Sequence, residues 1–317
     1  MEEFLRPATY VLGVVLLGAL IRMACDRFKV LGMFGRPFFR ALMGFAVWCI
    51  LPVVVFFSIA RYSINEILGF GNAFLMAFIS MGVCFIFAYL ISHYRNYDRR
   101  TTVALVLNAA FMNVTHLGLS AVYALLGPDF LGPASLYAMG VGILNLVFGV
   151  ALASSASKTR VSIGSLMETV VTFPAAFALI VAMLFVWFRA PVPDPLINIF
   201  DSHLTKPFFF LMLVVVGYQM TVVRPSKYLG MLTEIGFIRF VISPLVVILS
   251  VVALGLSFRS DLTPLPSLIQ SVMPPAVFNI VLAVHYRLDT KLYSAMMFYS
   301  TLISLFIVLP IISILFL

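Results

Sequence analysis

Long apolar runs follow one another along this chain with only short polar connections between them, and few folds can accommodate that pattern. Each run holds about 20 residues, the length at which a helix crosses the hydrocarbon of a bilayer. In hydrocarbon, only helices and closed barrels satisfy every backbone N–H and C=O. The runs are continuous rather than alternating at every second position, which rules out a barrel. Composition agrees: 63% of the 317 residues are hydrophobic and 10% are charged, against about 25% charged in a soluble domain. The expected fold class is an all-α polytopic membrane protein.

Ten transmembrane helices are expected, at roughly 8–24, 39–60, 68–92, 102–126, 133–154, 167–188, 204–223, 235–257, 265–284 and 291–315. The connections leave no room for a soluble domain. Met1–Pro7 carries Glu2 and Glu3, and the first run reads as a span rather than a cleavable leader. Cys25, Cys49 and Cys84 lie in or beside apolar segments without metal-ligand spacing, so they read as small packing residues. No metal site and no cofactor are expected.

Charge placement sets the orientation. The connections after spans one, three, five, seven and nine hold Arg22, Arg27, Lys29, Arg36 and Arg40; Arg95, Arg99 and Arg100; Lys158 and Arg160; Arg224 and Lys227; and Arg287 and Lys291. The opposite side holds only Arg6, Arg61, Arg189, Lys206 and Arg259. The odd-numbered connections are therefore expected in the cytoplasm, with both termini outside. This accounts for the +8 net charge without a nucleic-acid partner. Two groups of five spans result: a first five-helix repeat (1–154), a short cytoplasmic linker (155–166) and a second repeat (167–317). The second group starts on the opposite side, the geometry of an inverted repeat. Ser120-Ala-Val-Tyr123 in span four and Pro275-Ala-Val-Phe278 in span nine are a weak internal match.

All 12 carboxylates fall at or near span ends, which removes the usual intramembrane acidic relay. The polar residues within the spans are mostly neutral. Span four reads LNAAFMNVTHLGLSAVY, with Asn108, Asn113, Thr115, His116, Gly118 and Ser120. Span nine carries Pro274, Pro275 and Asn279. Taken singly, such residues often bond their own helix or cement helix contacts, and Pro52, Pro174 and Pro244 read as kinks. Together, spans four and nine point to a site. An adjacent proline pair breaks a helix, and the N-terminal end of its second half attracts anions. Such irregular backbone is tolerated at membrane depth where it is buried in protein or lines a wet cavity. The candidate substrate-binding residues are Asn113, Thr115, His116, Gly118, Ser120, Pro274, Pro275 and Asn279. His116 reads either as a proton-coupling group or as a neutral core histidine. Arg239 is expected to pair with Glu234 near the cytoplasmic surface, and His285 and Asp289 to cap a loop.

The run MPPAVFNIVLAVHYRLDTKLYSAMMFYSTLISLFIVLP resembles the C-terminal signature of the auxin efflux carrier family, through Met273, Pro274, Asn279, Asp289, Ser300, Thr301, Ser304 and Pro310. In the first half Asn113, Gly118 and Gly127 match the family's Asn, Gly-x-Pro and closing Gly, with Ser120 in place of the proline. Pro207 and Gly217 match its Pro-led, Gly-ended helix. The resemblance implies ten helices in two inverted repeats, with helices four and nine broken where they cross. It further implies a scaffold of spans 1, 2, 6 and 7, a mobile transport unit of spans 3–5 and 8–10, elevator-type movement and a homodimer.

Compact bacterial members of that family are associated with small organic anions such as malate and malonate, and plant members with auxin, an aromatic carboxylate. The expected function is thus a secondary transporter of a small carboxylate, set among lipid in a bacterial inner membrane. One alternative is a sodium-coupled symporter of the bile acid carrier type, with Asn113, Thr115 and freed carbonyls holding the ion. Another is a membrane sensor that binds organic anions without moving them. An enzyme should show an intramembrane nucleophile or metal cluster, and the sequence shows neither.

Overall fold

The computed structural model describes residues 2–157, 174–220 and 228–316. The expected linker lies almost wholly outside the described residues, as do the first residues of span six and the last of span seven. The described chain is helical, and its only strand-like pairing is an isolated bridge between Met112 and Pro275. Its helices are α1 (Glu2–Arg27), α2 (29–60), α3 (Ile64–Tyr94), α4 (Arg99–Ala110), α5 (Val114–Leu126), α6 (Pro128–Ser155), α7 (Pro174–Trp187), α8 (Asp194–Gln219), α9 (Leu229–Ala253), α10 (Pro264–Ser271), α11 (Val277–His285) and α12 (Thr290–Phe316). Among the described residues, seven helices are long and apolar enough to cross a membrane, namely α1, α2, α3, α6, α8, α9 and α12.

Burial differs from that of a soluble protein. Large apolar side chains such as Leu68, Leu90, Val252 and Leu315 are exposed, whereas Asn108, Ser120, Arg239, Asn279 and Thr301 are buried. An apolar exterior with the polar residues held inside suits lipid as the solvent. With no hydrophobic drive between helices in lipid, close packing has to hold them, and small residues permit it. Along the seam between α1 and α8, a Cβ on Gly18 would collide with the Val214 carbonyl, and one on Gly217 with the Val15 carbonyl. α2 lies against α7, where Phe56 and Phe185 meet edge to face at 5.1 Å. α3 packs on α4, α6 and α9, and its Ser80 shares a hydrogen bond of 2.9 Å with Ser243 of α9.

Wide π turns precede several prolines. Ala46–Ile50 comes just before Pro52, Phe200–Thr205 before Pro207, Ile238–Ile242 before Pro244 and Ser304–Val308 before Pro310. A proline ring clashes with the carbonyl four residues back, and a widened turn relieves that clash without ending the helix. Pro52 and Pro244 therefore sit inside continuing helices, while Pro174 opens the described part of α7.

Two expectations change. α8 begins at Asp194, well before the expected 204, because Asp201 is neutralised by a bidentate pair with Arg61 at 2.8 and 3.1 Å. Cys49 is exposed on the helix exterior, while Cys25 and Cys84 are buried, and all three are free. Asp289 caps α12 by accepting the N–H groups of Lys291 and Leu292.

Candidate functional site

Two pairs of short helices are each separated by a break. α4 stops at Ala110 and α5 starts at Val114; α10 stops at Ser271 and α11 starts at Val277. The second break follows from its sequence, since each proline forces the residue before it into extended backbone and offers no N–H. The two breaks lie side by side. Asn113 N–H donates to the Pro274 carbonyl at 2.8 Å, and Ala276 N–H donates to the Phe111 carbonyl at 2.9 Å. Each break supplies the hydrogen bonds that the other lacks.

The first break falls at 111–113, ahead of the Gly118–Ser120 stretch in which the resembled family carries its proline. No proline is required there, because the partner break satisfies the extended backbone. The SAVY and PAVF motifs therefore do not occupy equivalent places: Ser120 sits within α5, and Pro275 sits in a break. Ser120 donates its hydroxyl to the His116 carbonyl at 2.6 Å, a bond within its own helix. Gly118 instead makes room for α10, since a Cβ there would stand 3.3 Å from Gln270 Cγ and 3.4 Å from Met273 Cγ.

Side chains take up several of the carbonyls that the breaks release. Asn279 is fully buried, and its Nδ2 donates to the Leu107 carbonyl at 2.9 Å and to Phe111 at 3.5 Å, while Oδ1 faces Asn145 Nδ2 at 3.4 Å. Ser304 Oγ donates to the Val272 carbonyl at 2.9 Å. Arg239 takes three more. Its Nε donates to Met273 O at 3.1 Å, Nη1 to Ala109 O at 3.1 Å and Nη2 to Ser271 O at 2.6 Å. This overturns the expected Arg239–Glu234 pair. Glu234 instead accepts from Arg95 at 3.0 Å and from the Tyr97 hydroxyl at 3.0 Å. α9 begins at Leu229, so Arg239 lies about 15 Å along the helix from that end. The sequence signal was available: an arginine inside the apolar run IGFIRFVIS is costly in a membrane and marks a functional place by default.

The structure thus brings Asn113, Pro274, Pro275 and Asn279 together at the crossing, with Thr115 and His116 half-buried on the first turn of α5. The Asn113 side chain is free of hydrogen bonds among the described residues, and the first N–H groups of α5 and α11 carry the positive end of each helix. A cavity of about 360 Å3 opens farther along α5, between it, α1 and α8. Ser120 lines it, as do Tyr10, Tyr123 stacked on Phe209 at 4.9 Å, and Lys206, the one charged residue of its described lining. Sequence reasoning had assigned Lys206 to orientation alone. Among the described residues, no group of His, Cys, Asp and Glu is arranged to hold a metal ion.

No family model matches the chain. The chain is similar to two archaeal proteins, each named an uncharacterized transporter. It is 26% identical to one from Methanothermobacter thermautotrophicus over 298 residues, 93% of this chain and 93% of that protein. It is 22% identical to one from Methanocaldococcus jannaschii over 309 residues, 94% of this chain and 96% of that protein. Both likenesses extend through nearly the whole length of either chain.

Proposed function

We propose that this chain is a secondary transporter that carries a small organic anion across the membrane by alternating access. The observation that carries the reading is the pair of adjoining breaks at Phe111–Asn113 and Met273–Ala276. Interrupted helices that meet inside a membrane protein are the usual means of building a substrate site there. The names of the two archaeal relatives support transport, and the motif resemblance to auxin efflux carriers supports an anion.

In this reading α4–α5 and α10–α11 each make one crossing, so the chain crosses ten times as two inverted five-helix repeats. α1, α2, α7 and α8 form a scaffold that also pairs two copies. The remaining helices form a unit that moves past it as an elevator. Both termini lie outside a bacterial inner membrane. Asn113, Thr115, His116 and the first turns of α5 and α11 receive the carboxylate, while Asn279 and the prolines position them. Lys206 and the aromatic wall of the cavity draw the anion in.

Purified protein in liposomes tests this. Uptake and counterflow of labelled malonate, malate and an indole carboxylate would be measured, so that electroneutral exchange is also detected. Saturable uptake of one of them is expected. No uptake and no counterflow of any carboxylate would overturn the reading, and binding without movement would leave a sensor.

A further inference from the structure

Two half-helices, α4 and α10, end at the crossing, and a helix C-terminus carries roughly half a negative charge in its last carbonyls. Carbonyls of Ala109, Ser271 and Met273 surround the Arg239 guanidinium there, each accepting from a different nitrogen at 2.6 to 3.1 Å. Unwound backbone carbonyls and half-helix C-termini are the ligands with which interrupted-helix transporters hold an alkali cation. Here the cation at that place belongs to the chain.

Arginine stays charged in proteins, and a buried charge is costly unless it is paired and hydrogen-bonded. Arg239 is fully buried, and among the described residues no carboxylate lies within ion-pair distance of it. Its compensation is the carbonyl pocket. Ser243, which donates to the Ser271 carbonyl at 2.8 Å, adds a second donor to the same oxygen.

We propose that Arg239 is a tethered cation: its guanidinium fills the carbonyl pocket that a coupling ion would need, and the crossing assembles without sodium. A shorter neutral side chain at this position leaves the pocket open to a free cation. Occupancy of the pocket stands on the contacts alone, whereas sodium-independent transport rests on the function proposed above.

The melting temperature of the purified full chain, read in choline, sodium and guanidinium chlorides at equal millimolar concentration, tests the pocket. Wild type and Arg239→Lys are expected to melt alike in all three salts. Arg239→Ala is expected to melt lower in choline and to be raised by guanidinium, and less by sodium. At a concentration about 100 times the dissociation constant, the rise for a chain of this size is roughly 5 °C. A merely structural arginine would show rescue by guanidinium, the group that was removed, and no rise in sodium over choline. An Arg239→Ala protein that melts no higher in sodium than in choline, or a wild type stabilised by sodium, overturns the proposal. Where Arg239→Ala cannot be purified, Arg239→Gln is read in the same salts with the same two outcomes. Where neither can, the wild type decides: sodium-dependent melting or uptake overturns the proposal, and indifference to sodium upholds it. Since melting reads binding, failure of every anion to be transported would remove the function proposed above and leave the tethered cation in place.

Discussion

Asn113 and Pro274 are joined backbone to backbone, N–H to carbonyl at 2.8 Å, and that bond ties together two interrupted helices from opposite halves of the chain. With the companion bond from Ala276 to Phe111, it makes a single antiparallel rung among helices. A polar backbone group left unpaired inside a membrane protein costs several kcal/mol, so neither break is stable without the other. The crossing is one unit, and the side chains around it act by holding that unit in shape or by meeting what enters it.

Asn279 belongs to the first group. Its amide bridges the last carbonyls of α4 from a fully buried position. Asn279→Ala is expected to destabilise the protein by about 1–3 kcal/mol, the penalty for unmaking buried hydrogen bonds, and to lower uptake with it. Asn279→Asp, which keeps the shape but removes the donor, should be worse because it adds a buried charge. Thermal melting in detergent alongside uptake checks this. Normal stability with weakened substrate affinity would instead place the side chain on the substrate.

Lys206 belongs to the second. It is exposed at the mouth of the cavity, where it is the one charged group of the described lining. An exposed charge contributes at most about 1 kcal/mol, so Lys206→Gln should raise the KM for a carboxylate by roughly 2–5-fold and leave the maximal rate unchanged. The rise should shrink at high salt as screening removes the wild-type advantage. Lys206→Arg should behave as wild type. A KM that ignores both charge and salt would take Lys206 out of the anion's path.

The helical membrane class was legible because continuous apolar runs admit one solution in lipid, and the second break was legible because two prolines announce it. The first break was expected only through the resemblance, and its place was not legible from the residues themselves. Phe111–Met112–Asn113 carries no local breaker, and its extended backbone exists only because the Pro274 carbonyl and the Ala276 N–H lie across from it. Long-range pairing of this kind leaves no mark on neighbouring residues. Arg239 was misplaced for a different reason. Its helix was expected to start at 235 but starts at Leu229, and the shift moves the guanidinium from the surface into the crossing. α8 was expected to start late because Asp194 and Asp201 look like a loop until Arg61 is found beside Asp201.

The seam between α1 and α8 depends on glycine for space alone. Gly217→Ala would drive a methyl group into the Val15 carbonyl, and Gly18→Ala one into Val214. Because the colliding atoms are backbone, one helix has to move, and a loss of about 1–3 kcal/mol is expected from each change. Gly13 faces open space on the same helix, so Gly13→Ala should be neutral or stabilising by up to about 1 kcal/mol through helix propensity. Melting temperatures of the three variants decide the matter. Equal behaviour at positions 13 and 217 would show that the seam is not close-packed.

Pro275 keeps the crossing open by what it lacks. In an uninterrupted helix the N–H of residue 275 would bond the carbonyl of Ser271. That carbonyl already accepts Arg239 Nη2 at 2.6 Å and Ser243 Oγ at 2.8 Å. Pro275→Ala supplies the missing N–H, which competes with the guanidinium for the Ser271 carbonyl and pulls against the rung to Met112, while Pro274 still prevents a regular helix. Uptake is expected to fall several-fold and the melting temperature to fall with it, because loosening the rung leaves backbone groups of both breaks unpaired. Pro275→Gly also restores the N–H but extends a helix poorly, by about 1 kcal/mol relative to alanine, so it should retain more activity than the alanine variant. Equal uptake by wild type and Pro275→Ala would reduce the proline pair to a kink and move the substrate site away from the break.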